Sequence, residues 1–205
     1  MEEPSATSRE TEPVTVRRRR AGVGLVPRDA LVDTLTSSPA RVVALVAGPG
    51  YGKTTVLGQW ADRVETTAWH TCTDADNDPA TLLTALGRAA SIGTGGITVA
   101  DLVSASRSGP PQTLLLDDVQ AITQAGSLNV LTDVIDRLPD TWRVGFASRA
   151  RPRLPIARLR AAGDLLEIGV AELSLLPDEE SQVLARSGVS LSAEATAALH
   201  DRTEG

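Results

Sequence analysis

The sequence predicts an α/β fold in three layers, with a mostly parallel five-stranded sheet between two layers of helices. Two apolar runs, residues 41–46 and 113–116, show no alternation of polar and apolar positions. Such runs are typical of strands buried on both faces of a parallel sheet. Apolar residues recur at helical spacing in residues 56–64 and 128–138, and helices that alternate with buried strands favour the α/β class.

Length, composition and charge fit a single soluble core with a small additional unit. The chain has 205 residues, of which 41% are hydrophobic, and a net charge of −6. This acidic balance argues against general nucleic-acid affinity. No apolar run reaches the roughly 18 residues that a membrane span needs, and the N-terminus lacks a signal-peptide apolar region. We therefore expect a cytoplasmic protein that does not contact a membrane.

The chain divides into three predicted regions. Residues 1–22 predict a disordered N-terminal arm because Glu, Ser, Thr and Pro outnumber apolar residues there. The arginines at residues 17–20 could contact nucleic acid or an acidic partner, although a solvated run of charge is favoured. Residues 23–172 predict the α/β core, and residues 173–205 predict the start of a truncated helical subdomain.

A glycine-rich turn follows the first strand at residues 47–55, with the sequence AGPGYGKTT. It matches a nucleotide-binding P-loop with alanine in place of the first glycine. Gly50 and Gly52 allow backbone N–H groups to converge on phosphate oxygens, at the positive end of the following helix. Lys53, the only lysine among 20 basic residues, suits the β/γ-phosphates, and the Thr54 hydroxyl suits Mg²⁺. The predicted nucleotide contacts are Gly48, Pro49, Gly50, Tyr51, Gly52, Lys53, Thr54 and Thr55.

Two carboxylates end the second buried strand. Asp117 lies at the C-terminal end of the run TLLLD, where ligands bind in open α/β sheets. We expect Asp117 to hold Mg²⁺ and Asp118 to orient or deprotonate an attacking water. Residues 142–149 predict a further strand that ends in Ser148 and Arg149, at the same edge of the sheet. Arg149 could sense or stabilise a γ-phosphate, although other arginines follow it closely.

The remaining elements complete the sheet and its helices. Residues 66–72 predict a strand, in which the single Cys72 is expected to be a buried, inert thiol. Asp78 and Pro79 predict a helix start, and capping is favoured over a cation loop for the acidic turn around them. Five other elements are predicted: helices at residues 26–35, 99–106, 177–187 and 192–202, and a strand at residues 164–168.

These segments together resemble the AAA-related P-loop NTPases and, within them, the STAND ATPases of the MalT type, which are large ATP-binding regulators of the LuxR family. The resemblance covers about residues 25–205. It rests on the segments GPGYGKTT, LLLDDVQ and FASR, on Trp69 with residues 76–79, and on residues 154–160 and 199–205. One departure is Gln120, which stands where a His often follows the acidic pair, so that any role of this position is in doubt.

The resemblance implies a switch that holds ADP at rest and ATP when active, with slow hydrolysis and ATP-dependent homo-oligomers. It also implies that Arg28, in a Pro-Arg pair, lies near the nucleotide, although packing alone would explain the helix there. Family members continue into a sensor and a C-terminal helix-turn-helix that binds DNA. The resemblance implies that this sequence is a truncated form, which would contact DNA only through that missing domain.

The sequence therefore predicts an ATP/ADP-binding switch domain, with Mg²⁺ as cofactor and weak ATPase activity. Two alternatives stay open. The first is an interaction scaffold in which nucleotide only stabilises the fold without turnover. The second is a stand-alone AAA-type ATPase, which is less favoured because the sequence has no substrate-handling domain.

Overall fold

A computed structural model describes residues 25–186 apart from 94 and 111, together with residues 188, 189 and 195. The arm predicted at residues 1–22 lies outside the described residues. The helix predicted at residues 192–202 also lies outside them, apart from residue 195.

The described residues form strands and helices close to the predicted positions, together with two short helices at Ile156–Ala161 and Val170–Leu173 that the sequence does not predict. The strands are β1 (Val42–Val46), β2 (Thr67–Thr71), β3 (Thr113–Asp117), β4 (Arg143–Ser148) and β5 (Leu165–Ile168). The helices are α1 (Asp29–Ser37), α2 (Lys53–Ala61), α3 (Pro79–Ala89), α4 (Val99–Ser108), α5 (Ala125–Arg137), α6 (Ile156–Ala161), α7 (Val170–Leu173) and α8 (Pro177–Arg186). Two short 3₁₀ turns lie at Asp74–Asn77 and Val119–Ala121.

The five strands of the described chain form one parallel sheet in the order β2-β3-β4-β1-β5. The predicted parallel sheet is thus confirmed. Strand β4 lies between β1, which leads into the P-loop, and β3, which ends at Asp117. Because all five strands point the same way, the P-loop and the ends of β3 and β4 meet at one edge.

Two apolar clusters cover the two faces of the sheet. One contains buried residues of α3, α4 and α5, including Leu82, Leu102 and Leu131. The other contains buried residues of α1 and α2, including Leu35 and Trp60. Successive residues along β1 and β3 belong in turn to one cluster and then to the other, because neighbouring side chains of a strand point to opposite faces of the sheet. This arrangement confirms the predicted three layers, with the P-loop helix in the second cluster.

Local side-chain chemistry explains where the helices begin. The Asp78 carboxylate accepts a hydrogen bond from the Thr81 N–H at 2.8 Å, and Pro79 occupies the first turn of α3, as the capping interpretation requires. Thr98 and Asp101 form a reciprocal cap at the start of α4.

The single cysteine lies directly after β2. Cys72 is buried, and burial, followed by the nearby Asp76 carboxylate, raises the pKa of its thiol to about 12. The buried position of the Cys72 thiol agrees with the prediction of a buried thiol at the end of this strand.

Within the part of the chain that the structure describes, none of the helices combines the length and the apolar character needed to span a membrane.

Candidate functional site

The P-loop backbone forms an open turn between β1 and α2. Gly50 and Gly52 have φ values of +93° and +68°, where a residue with a side chain would be strained. Among the described residues, apart from each glycine and its two chain neighbours, no heavy atom lies within 4 Å of the position that a Cβ would occupy at either glycine. Helix α2 starts directly after Gly52 with no side-chain cap. Its first N–H groups, which have no partner within the helix, are therefore available to an anion.

The rest of the loop shapes this turn. Gly48 lies beneath the Tyr51 ring, which is 3.7 Å from the position that a Cβ at Gly48 would take. Tyr51 itself packs against the apolar cluster that contains α1 and α2. Pro49 is exposed and Thr55 is half-buried on the first turn of α2. These four residues thus lie in or beside the predicted phosphate turn, and their contacts with nucleotide stay predictions.

The Lys53 ammonium group lies inside this turn. Its Nζ donates to the Gly48 carbonyl oxygen at 2.5 Å, and the side chain is largely buried. The pKa of Lys53 is lowered, chiefly by burial and next by repulsion from Arg149, whereas Asp117 and Asp118 act in the opposite direction. Two cations and two carboxylates therefore influence each other around the loop, and added negative charge there would stabilise the cations.

The Thr54 hydroxyl and the Asp117 carboxylate contact each other. Thr54 Oγ1 donates to Asp117 Oδ2 at 2.8 Å, although the two residues are 63 positions apart. Asp117 is 3% exposed, and its Oδ1 accepts the Asp118 N–H at 3.0 Å. A hydroxyl and a carboxylate are oxygen ligands of the kind that Mg²⁺ takes, usually alongside water and substrate phosphates. The donor set and the open loop thus fit a Mg²⁺–nucleotide complex.

Asp118, Gln120 and Arg149 form a second group at the same edge. Asp118 has a left-handed backbone with φ of 55°, and its Oδ1 accepts from Gln120 Nε2 at 2.7 Å. Gln120 Oε1 accepts the Arg149 N–H at 2.9 Å. Arg149 Nε is 3.8 Å from Asp118 Oδ1, and the Arg149 side chain is 58% exposed. Residues from the ends of β3 and β4 are thereby joined.

The Arg28 side chain contacts the backbone at the end of α7. Its guanidinium group donates to the carbonyls of Leu173, Glu172 and Ser174 at 2.8–3.1 Å and forms an ion pair with Glu179 at 3.1 Å. The side chain is buried at 6% exposure. It thus caps the C-terminal end of α7 and contacts the first turn of α8. These contacts occupy the guanidinium group, and the predicted nucleotide contact of Arg28 stays a prediction.

The sequence pattern did not identify Gln120 as part of this site. At its position, two residues after Asp118, the sequence differs from the family pattern. The signal that could have singled it out is chemical, because a side-chain amide both donates and accepts and follows an acidic pair at a strand end. Its contact with Arg149, 29 positions later, depends on the pairing of β3 with β4.

Comparison with known proteins agrees with the motifs. No family model matches the sequence. The chain is 28% identical over 201 residues to the HTH-type transcriptional regulator MalT of Yersinia enterocolitica, covering 88% of this chain and 22% of that protein. It is 29% identical over 177 residues to MalT of Cronobacter sakazakii, covering 77% of this chain and 20% of the relative. The chain thus spans about a fifth of the length of these curated relatives.

Two solved structures share the fold. A Pyrococcus horikoshii signal transduction ATPase with numerous domains, which has a tetratricopeptide-repeat sensor, superposes with a TM-score of 0.55 at 17% identity, over 94% of this chain and 30% of its own. A Walker-type ATPase of Pyrococcus abyssi superposes with a TM-score of 0.56 at 9% identity, over 86% of this chain and 63% of its own. At these identities the likeness concerns the fold. Motifs and fold together identify the chain as a P-loop NTPase-fold domain, and its sequence is similar to part of the MalT regulators.

Proposed function

We propose that this chain is the ATP/ADP-binding switch domain of a signal-transducing transcriptional regulator and hydrolyses ATP slowly. The observation that supports it most directly is the contact of Thr54 with Asp117 at 2.8 Å, beside the buried Lys53. The similar MalT proteins are transcriptional regulators, and one protein that shares the fold is a signal transduction ATPase. These similarities support the role in regulation.

The P-loop residues bind the nucleotide phosphates in this proposal. The backbone N–H groups at the start of α2 donate to phosphate oxygens, and Lys53 exchanges its bond to the Gly48 carbonyl for one to a phosphate. Burial and the neighbouring Arg149 lower the pKa of Lys53. A bound phosphate supplies the negative charge that relieves this repulsion, so that phosphate binding stabilises both cations.

Thr54 and Asp117 hold the metal ion, and Asp118 and Arg149 act at the terminal phosphate. A bound Mg²⁺ would neutralise part of the charge on the phosphates. Asp118, half-exposed at the end of β3, orients the attacking water or accepts its proton. Arg149 has a mostly exposed side chain, which leaves it free to turn toward a γ-phosphate and stabilise the charge that develops there.

Slow turnover and assembly belong to the same proposal. Charge stabilisation supplied by a second molecule can be worth about 10³ or more in rate, so an isolated domain is expected to hydrolyse ATP slowly. ATP-dependent homo-oligomers would provide such a group. Contact with DNA would be made by a LuxR-type helix-turn-helix outside these 205 residues, in the cytoplasm, where such a regulator acts.

Calorimetric titration with ADP and ATP tests the proposal, with phosphate release followed in parallel. Wild-type protein in the presence of Mg²⁺ is expected to bind both nucleotides, and Lys53→Ala is expected to lose most of this affinity. Arg107→Ala is the matched control, because it removes an exposed cation from α4, a helix that packs on α5. This control should bind like the wild type.

The outcomes separate the alternatives. Binding with slow phosphate release supports the switch. Binding without any release favours the interaction scaffold in which nucleotide only stabilises the fold. Equal behaviour of wild type and Lys53→Ala would contradict the nucleotide site itself.

A further inference from the structure

The nitrogen and the oxygen of the Gln120 side-chain amide each form a hydrogen bond. It lies in the 3₁₀ turn Val119–Ala121, directly after Asp118. Its Nε2 donates to Asp118 Oδ1 at 2.7 Å, and its Oε1 accepts the backbone N–H of Arg149 at 2.9 Å. One side chain therefore connects the carboxylate that follows β3 to the backbone that follows β4.

The chemistry of the two partners requires a group of this kind. A carboxylate can only accept hydrogen bonds, and a backbone N–H can only donate one. A side chain that contacts both must donate at one end and accept at the other. Glutamine meets this condition, whereas glutamate would offer two acceptors and place a second carboxylate against Asp118.

The bridge constrains a carboxylate whose other described contact is long. Asp118 has the left-handed backbone conformation, which is uncommon for residues other than glycine. Its carboxylate is 41% exposed, and its contact with the Arg149 side chain is longer, at 3.8 Å. Exposed ion pairs at such distances hold geometry poorly. The hydrogen bond from Gln120 is therefore the shorter of the two contacts described for this carboxylate.

We propose that Gln120 is a positioning residue for the γ-phosphate side of the nucleotide site. It keeps the Asp118 carboxylate and the Arg149 backbone in one relative position, and through them acts on the triphosphate. This inference rests on the proposed function. Because Gln120 contacts Asp118 and Arg149, the two residues assigned to the terminal phosphate, the bridge affects ATP binding more than ADP binding.

Three substitutions test the bridge. Gln120→Leu keeps the approximate size and removes both hydrogen bonds. Gln120→Glu keeps the shape and removes the donor. Gln120→His is expected to retain function, because neutral imidazole carries one donor and one acceptor. Gln124→Leu is the matched control, since Gln124 is an exposed glutamine in the same connection whose side chain does not cap α5.

The first measurement needs no nucleotide. Hydrogen exchange at the Arg149 backbone N–H is expected to accelerate roughly tenfold in Gln120→Leu, which is the scale of one lost hydrogen bond. Wild type, Gln120→His and the Gln124→Leu control should protect this N–H alike. Equal protection in Gln120→Leu and wild type would show that the bridge does not exist in solution.

The second measurement compares affinities for Mg²⁺–ADP and for a non-hydrolysable Mg²⁺–ATP analogue. In Gln120→Leu and Gln120→Glu the ratio of ATP-analogue to ADP affinity is expected to fall roughly fivefold to tenfold, with ADP affinity within about twofold of wild type. Gln120→His should keep the wild-type ratio of the two affinities. An unchanged ratio, or an equal loss of both affinities, overturns the positioning role while leaving the nucleotide site intact. If wild type and Lys53→Ala bind ADP equally, the proposed function fails, and the role of Gln120 fails with it.

Discussion

The glycine in the middle of β4 allows the P-loop helix to pack closely on the sheet. A methyl group added at Gly145 would lie 2.4 Å from Cζ3 of Trp60 and 2.8 Å from Cδ2 of Leu115. Both neighbours are fully buried, so neither side chain can turn into solvent. Gly145→Ala is therefore expected to displace Trp60 and, with it, α2, which carries Lys53 at its first position.

The size of the effect follows from overpacking. Forcing extra carbon atoms into a well-packed core costs about 1–3 kcal/mol. For a domain of 150–250 residues each kcal/mol lowers the Tm by roughly 2–4 °C, so Gly145→Ala should lower the Tm by about 2–12 °C. Thermal unfolding followed by circular dichroism measures this change, and urea unfolding gives the corresponding free energy of unfolding.

A second glycine provides the control. A methyl group at Gly87 in α3 would lie even closer to a neighbour, 2.1 Å from Cδ1 of Ile97. That atom is the end of a half-buried side chain in a loop, which can move, and alanine favours a helix over glycine by about 1 kcal/mol. Gly87→Ala should therefore stay within about 1 kcal/mol of wild type. A larger loss of stability for Gly87→Ala than for Gly145→Ala would refute the reasoning that rigid burial decides the cost.

Three further predictions concern the rest of the chain. Arg28→Met should destabilise the domain by about 1–3 kcal/mol, because it leaves the buried Leu173 carbonyl and two partly buried carbonyls without this donor, and thermal unfolding measures this loss. Asp78 has a pKa below its usual 3.8 because the Thr81 backbone N–H and hydroxyl donate to it. Its contribution to stability is therefore complete above that value and is lost as the pH falls through the lower folded-state pKa, so wild type and Asp78→Ala should converge in acid unfolding. The Cys72 thiol, whose pKa burial raises to about 12, should resist thiol reagents at pH 8 until the chain unfolds.

Each of these predictions has an opposing result. A Tm for Arg28→Met equal to that of wild type would show that the guanidinium contacts with α7 and α8 contribute nothing. A difference between wild type and Asp78→Ala that stays constant down to strongly acidic pH would exclude the carboxylate as the cap. Rapid labelling of Cys72 in the folded chain would contradict its burial. Nucleotide titration of Arg28→Met also tests the predicted contact of Arg28 with nucleotide.

Strands with apolar runs and helices with capping residues were predictable from the sequence, and helices shorter than two turns were not. The strand β3 has an apolar run, and α3 has an N-cap aspartate followed by proline, so local residues predict both elements. Helices α6 and α7 have six and four residues. Fewer than two turns do not show a helical period, which is why the sequence did not predict them.

The sequence by itself determined the chemical groups of the candidate site. The P-loop motif, the acidic pair and the strand that ends in Arg149 are each local patterns, because backbone turns and strand ends depend on neighbouring residues. Their spacing along the chain also indicated that they share one edge of a parallel sheet.

Only the tertiary structure decided which of these groups touch. Thr54 contacts Asp117 across 63 positions, Gln120 bridges Asp118 to Arg149, and Arg28 reaches carbonyls more than 140 positions away. These contacts depend on β4 lying between β1 and β3 and on how α7 and α8 pack. Strand order and packing are set by burial summed over the whole core, so no local pattern of residues specifies them.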